Sequence, residues 1–132
     1  MHTPGHSPGS VCFLLQPGGL LFSGDAVPLR GEMPIYDDPV EAMNSLEKLR
    51  RTPFDLMLSA WDAPRSHGQA MRLVDDAVDW IKQLDAAIKQ AAAAANEDPM
   101  VICRQVIAKL GLSSSMVNPL VARTVAGHLR RR

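Results

Sequence analysis

The chain has 132 residues, 46% of them hydrophobic and 21% charged, and its 14 basic and 14 acidic side chains cancel to a formal net charge of zero. A chain of this size folds as one domain and buries roughly two thirds of its unfolded surface, while balanced charge supplies no field to gather nucleic acid, so no nucleic-acid partner is expected. No long apolar run and no basic-then-apolar leader stands in it, which argues against a membrane partner and makes a cytoplasmic protein the expectation.

The chain opens on His2-Thr3-Pro4-Gly5-His6-Ser7-Pro8-Gly9-Ser10, a loop by its Pro and Gly content. Residues 11–15 are an apolar run of strand length, Gln16-Pro17-Gly18-Gly19 is turn chemistry, and residues 20–23 are a second run. Paired antiparallel about that turn, residue 10 faces residue 25. His6 and Asp25 then both lie past the open end of the hairpin, on loops carried by a rigid sheet. An imidazole nitrogen and a carboxylate oxygen together are metal-ligand chemistry.

Asp38 is a good N-cap, Pro39 suits a first helical position, and Val40, Met43, Leu46 and Leu49 recur at helical spacing up to Pro53. Residues 54–60 read as a buried strand. Strand, strand, helix, strand is the order of an αβ layer. Residues 66–95 read as one long helix with Met71, Val74, Val78, Ile81, Leu84 and Ile88 as its apolar stripe, broken at Asn96-Glu97-Asp98-Pro99. A further helix over residues 100–110 ends at Gly111. Ser113-Ser114-Ser115 then leads to a last helix capped by Asn118, with Pro119 first and Leu120, Val121, Val125 and Leu129 facing inward. Composition shifts near residue 64, which divides the chain into an αβ unit, residues 1–64, and a helical region, residues 65–132, packed on it. Cys12 and Cys103 lack a C-x-x-C spacing and read as buried reduced thiols.

The opening loop, followed by Ser23-Gly24-Asp25-Ala26, resembles the third and fourth conserved segments of the metallo-β-lactamase-fold hydrolases. The resemblance covers residues 1–64 and implies an α/β fold: half of an αββα sandwich, its C-terminal half, followed by a helical extension. It implies that His6 binds one metal ion and that Asp25 bridges two. Zinc is the first expectation for the ion, with manganese or iron as alternatives. The implied activity is metal-dependent hydrolysis of a small-molecule ester, thioester, amide or phosphoester.

Two departures from the family pattern stand out. The His-x-His-x-Asp-His segment that supplies most of the family's ligands is not among these residues, and Trp61-Asp62 stands where the family has Gly-His-Gly. The family's last histidine ligand is then absent, with Asp62 and His67, from the same loop, as the candidates to replace it. With two full candidates the isolated chain is expected to leave its site incompletely filled and to be inactive. The alternative is a non-catalytic assembly or regulatory module that keeps the loop for shape. The expected partner is a second copy of the chain, in a homodimer, or a missing N-terminal half. Plainer readings apply elsewhere: His2 is no ligand, Trp61 packs, and His128 with Arg130-Arg131-Arg132 is the solvated cationic end of a helix. Ser7, Ser10 and Ser23 lack the neighbouring base that a nucleophile needs.

Overall fold

The computed structural model describes residues 1–94 and 98–130. Strand β1 (Phe13–Leu15) pairs antiparallel with β2 (Leu20–Gly24), Phe13 opposite Phe22 and Leu15 opposite Leu20, the register that the turn between them sets. The turn between them requires Gly19: its φ is +56°, and a Cβ there would stand 2.4 Å from the Asp55 carboxylate. Without one, the Gly19 carbonyl docks on the start of the third strand and accepts from Asp55 N at 2.7 Å and Leu56 N at 3.1 Å.

Helix α1 (Pro39–Arg50) carries the chain back, so that β3 (Leu56–Ser59) lies parallel to β2 with Leu21 beside Met57. A short β4 (Arg65–Ser66) pairs antiparallel with β3 and completes a four-stranded sheet in the order β1-β2-β3-β4. Neither residue of β4 is apolar, so no alternation announces it. Helix α2 (His67–Ala94) follows, then α3 (Pro99–Lys109), a 3-10 turn (Ser114–Met116) and α4 (Pro119–Arg130). The expected break at Asn96-Glu97 and the end of the arginine tail, Arg131-Arg132, lie outside the described residues.

The caps form as their residue types dictate. The Asp38 carboxylate accepts from the amides of Val40 and Glu41, Asp98 from Met100, and Asn118 from Val121. Two helices, however, bury a face rotated from the expected one. In α1 the buried residues are Pro39, Ala42, Ser45, Leu46 and Leu49, while Val40 is exposed. The opening loop presses on that helix so closely that a Cβ on Gly5 would lie 2.6 Å from the Ala42 Cα, and only a small residue can face it. In α4 Leu120 is exposed, because Thr124 and His128 turn inward to form hydrogen bonds.

Both helical clusters share α2. Leu21 and Met57, on one face of the sheet, pack with Leu46 and Leu49 of α1 and with Val74, Val78 and Ile81 of α2. Further along, Trp80, Leu84 and Ile88 pack with Ile102, Val106 and Ile107 of α3 and with Val121 and Val125 of α4. Cys12 and Cys103 are buried free thiols, and burial raises both above the ordinary thiol pKa. Among the described residues nothing covers the other face of the sheet: Phe13, Leu15 and Phe22 stay exposed, with Leu20, Leu56 and Leu58 half-buried beside them. Among the described residues no helix is long and apolar enough to cross a membrane.

Candidate metal centre

Topology gathers the site. Because β2 and β3 are parallel, the loops that leave them emerge at the same edge of the sheet, and the antiparallel β1 brings its entering loop to that edge too. Asp25, the Trp61-Asp62 pair and the opening loop therefore meet, in the position where open parallel sheets place ligand sites. The same logic separates His67 from them. It follows β4, its amide donates to Asp55 O at 3.0 Å at the opposite edge, and its ring packs on Phe54 at 4.8 Å.

The opening loop is a built object. Thr3 N donates to Ser10 O at 2.9 Å, and Cys12 N donates to Met1 O at 2.8 Å. The Ser45 hydroxyl donates to Pro4 O at 2.6 Å, and the His2 ring donates through Nε2 to Pro8 O at 2.8 Å. His2 thus braces the loop. Ser7 and Ser10 join their hydroxyls at 2.9 Å, and the buried Ser23 hydroxyl points to Leu58 O.

His6 projects from this frame. Its Nδ1 donates to Ile35 O at 2.6 Å, which leaves Nε2 with a lone pair, and Nε2 lies 3.9 Å from Asp25 Oδ2. Two bonds of about 2 Å at a tetrahedral angle set their donors roughly 3.3 Å apart, so the donor types suit a two-donor share of a metal centre and the side chains would close by about half an ångström on an ion. The Trp61 indole donates to the other Asp25 oxygen at 2.5 Å. Trp61 does not pack as the sequence suggests: it is 84% exposed and stands over Asp25, because its strand ends short of it and leaves the ring outside the core.

Asp62 lines the same cleft, but its oxygens are committed to Arg65 Nε and to the amide of Ala63, and the Arg65 hydrogen bond holds its carboxyl below the usual range. Among the described residues no cluster of three His, Cys, Asp or Glu side chains could hold a metal ion. The cleft beside His6 and Asp25 has a volume of about 380 Å³ and is walled by Val27, Met33, Pro34 and Ile35, dimensions suited to a small molecule.

One arrangement escapes the sequence. His128 is 2% exposed rather than a solvated helix end: its Nδ1 donates to Asp85 Oδ1 at 3.0 Å and its Nε2 accepts from the Tyr36 hydroxyl at 2.8 Å. Burial pushes its pKa down against the pull of Asp85, so it is held neutral, and burial pushes the Tyr36 phenol up. The signal that could have found it is its helical spacing from Val121 and Val125, which places it on the inward face.

Comparison with curated proteins gives no significant match. Among solved structures, a metallo-beta-lactamase family protein from Thermus thermophilus superposes with a TM-score of 0.74 at 17% sequence identity, over 98% of this chain and 41% of that one. That likeness speaks to the fold, and the chain spans less than half the length of that protein. The family model of the metallo-beta-lactamase superfamily matches residues 1–93, which takes in the opening loop, the sheet, α1 and nearly all of α2. The chain belongs to the metallo-beta-lactamase superfamily.

Proposed function

We propose that this chain supplies one share of the metal centre of a metal-dependent hydrolase acting on a small molecule in the cytoplasm. The observation that carries the reading is the meeting of His6 Nε2 and Asp25 Oδ2 at the mouth of an apolar cleft, each residue held by a hydrogen bond from outside the pair. A divalent ion there, zinc first and manganese or iron as alternatives, would supply Lewis-acid activation of water. The protein's own contribution is orientation: Ile35 O holds the imidazole, Trp61 holds Asp25 Oδ1, and the cleft walls exclude solvent from a bound ester, thioester, amide or phosphoester.

Catalytic zinc sites use three protein ligands, so the isolated chain is inactive on this reading. Residues 1–64 carry the site, residues 65–132 support it, and the remaining ligands come from polypeptide outside these residues, packed on the bare sheet face. A second copy of the chain could cover that face but would bring only another His6 and Asp25. One observation favours the alternative of a non-catalytic module: Asp62, a further carboxylate of the cleft, is tied to Arg65.

Calorimetric titration with zinc, manganese and iron(II) tests the reading. Binding is expected to vanish in the His6→Ala, Asp25→Ala double variant, and unchanged stoichiometry would sink it. Asp62→Ala should leave affinity unaltered while Arg65 holds that carboxylate; a tenfold loss would instead make Asp62 a third ligand.

A further inference from the structure

Residues 34–38 form a segment caught between the candidate ligand and the C-terminal helix. On the outer side α4 grips it repeatedly. The Thr124 hydroxyl donates to Pro34 O at 2.7 Å and accepts from Tyr36 N at 3.0 Å, so its single proton faces one partner while a lone pair takes the other. Asp85 accepts from His128 Nδ1, which obliges Nε2 to accept from the Tyr36 hydroxyl and gives that chain one direction. Arg123 forks onto the Asp37 carboxylate at 2.6 and 2.8 Å. Gly127 lets the helix come so close that a Cβ there would stand 2.6 Å from Asp37 O. Thr124, His128 and Tyr36 are 0%, 2% and 2% exposed, so water does not compete for these bonds.

On the inner side the same segment holds the site. Ile35 O accepts from His6 Nδ1 at 2.6 Å, and Gly5 O accepts from Asp37 N at 2.8 Å. His6 itself is about one third exposed, on a loop rich in Pro and Gly; Asp25 Oδ2, at 3.9 Å from Nε2, is beyond hydrogen-bond reach, so the Ile35 carbonyl at 2.6 Å is the direct partner that selects its tautomer against the pull of that carboxylate.

We propose that α4 is a positioning element for the metal centre: Thr124, Gly127 and His128 hold residues 34–38 so that the Ile35 carbonyl locks His6 in its Nδ1–H tautomer and presents Nε2 toward Asp25. The three are positioning residues that act through the 34–38 backbone. The inference rests on the proposed metal role of His6, but its first readout needs no metal. A carbonyl that only accepts fixes the proton on Nδ1, and second contacts of this kind govern ligand orientation.

The test is long-range proton–nitrogen NMR of the metal-free full chain at a pH above the imidazole titration, followed by zinc titration. In the parent chain His6 should show a single Nδ1–H tautomer. Thr124→Val, which keeps the volume and removes the hydroxyl, should give a mixture of tautomers and weaken zinc tenfold or more. Thr124→Ser should restore the parent spectrum. Ile107→Val, a core trim in α3 away from the segment, should leave the His6 signals unchanged, which separates positioning from general loosening. Should Thr124→Val not fold, Gly127→Ala decides on the same spectrum, because alanine favours the helix while displacing Asp37 O. A His6 tautomer and zinc affinity equal to the parent's in a folded Thr124→Val or Gly127→Ala chain would overturn the proposal. A single tautomer in the parent that is lost in the variants, with no zinc bound by any of them, would sink the metal reading alone.

Discussion

The two faces of the sheet are built from the same kinds of residue and end differently. On one, Leu21 and Met57 are 0% and 1% exposed under α1 and α2; on the other, Phe13 and Phe22, paired across the hairpin, remain 66% and 43% exposed. Leu21 and Phe22 are neighbours in one strand, so propensity does not separate them. What separates them is a partner. An apolar run without alternation belongs to a strand covered on both sides, and these residues provide cover for one side only.

The comparison is broken most sharply by truncating both neighbours. Leu21→Ala should cost about 2–5 kcal/mol in urea unfolding, the usual penalty for emptying a core site. In the dilute chain Phe22→Ala should cost less, about 1 kcal/mol, because 43% of the residue is already in water. Equal losses below the concentration at which the chain associates would mean that the face is covered within the single chain.

Next in size is the polar core that joins α4 to the rest. His128→Phe leaves the buried Tyr36 hydroxyl without its acceptor and should cost about 1–3 kcal/mol at pH 7.5. It should also flatten the acid side of the stability profile. The folded-state pKa of His128 lies below its ordinary 6.5, so the unfolded chain binds the proton first. The stability this burial confers is complete above about 6.5 and is lost as pH falls from there toward the folded value. Asp85 works in the same direction further into acid. Burial pushes its carboxyl up, but the hydrogen bonds from Lys89 and His128 outweigh that and hold it below the ordinary value. Denaturation at pH 7.5 and 5.5 checks the sign: the parent should weaken on acidification, and the variant should weaken less.

Asp38→Ala should cost about 1 kcal/mol by stripping the cap from α1, readable as a shift in unfolding midpoint with an unchanged slope. That cap belongs to the part of the fold that local chemistry announces. Asp38-Pro39, Asn118-Pro119 and the Gln16-Pro17-Gly18-Gly19 turn each force a local conformation, and the hairpin register follows from its turn alone. The meeting of His6 and Asp25 was legible for that reason. Val40 and Leu120 were not, because which stripe of a helix turns inward depends on what presses against it: Gly5 on Ala42 in one case, the polar contacts of Thr124 and His128 in the other. The two-residue β4 carries no pattern to read. Its turning back is what removes His67 from the site and leaves Trp61 over Asp25. Tyr36 and His128 stand 92 residues apart in sequence, and no local rule could have joined them.

The smallest effect on stability is expected where the effect on association is largest. Phe13 and Phe22 face each other across the hairpin on the uncovered side, next to Leu15, and β1 is an edge strand of the sheet. An apolar row on an open edge is a template for association. Replacing both with serine should change unfolding by no more than about 0.5 kcal/mol per site in the dilute chain, as for other exposed positions. The same double variant should lose the dimer or larger species that light scattering across a dilution series is expected to find in the parent. Association hides the very surface that marks the two faces as different, so the serine variant should make the difference permanent: a monomer with one finished face and one wet one. A parent chain that is already a well-folded monomer at micromolar concentration would refute this. It would show that the helical cluster around α2 suffices to hold the sheet with half its apolar surface in water.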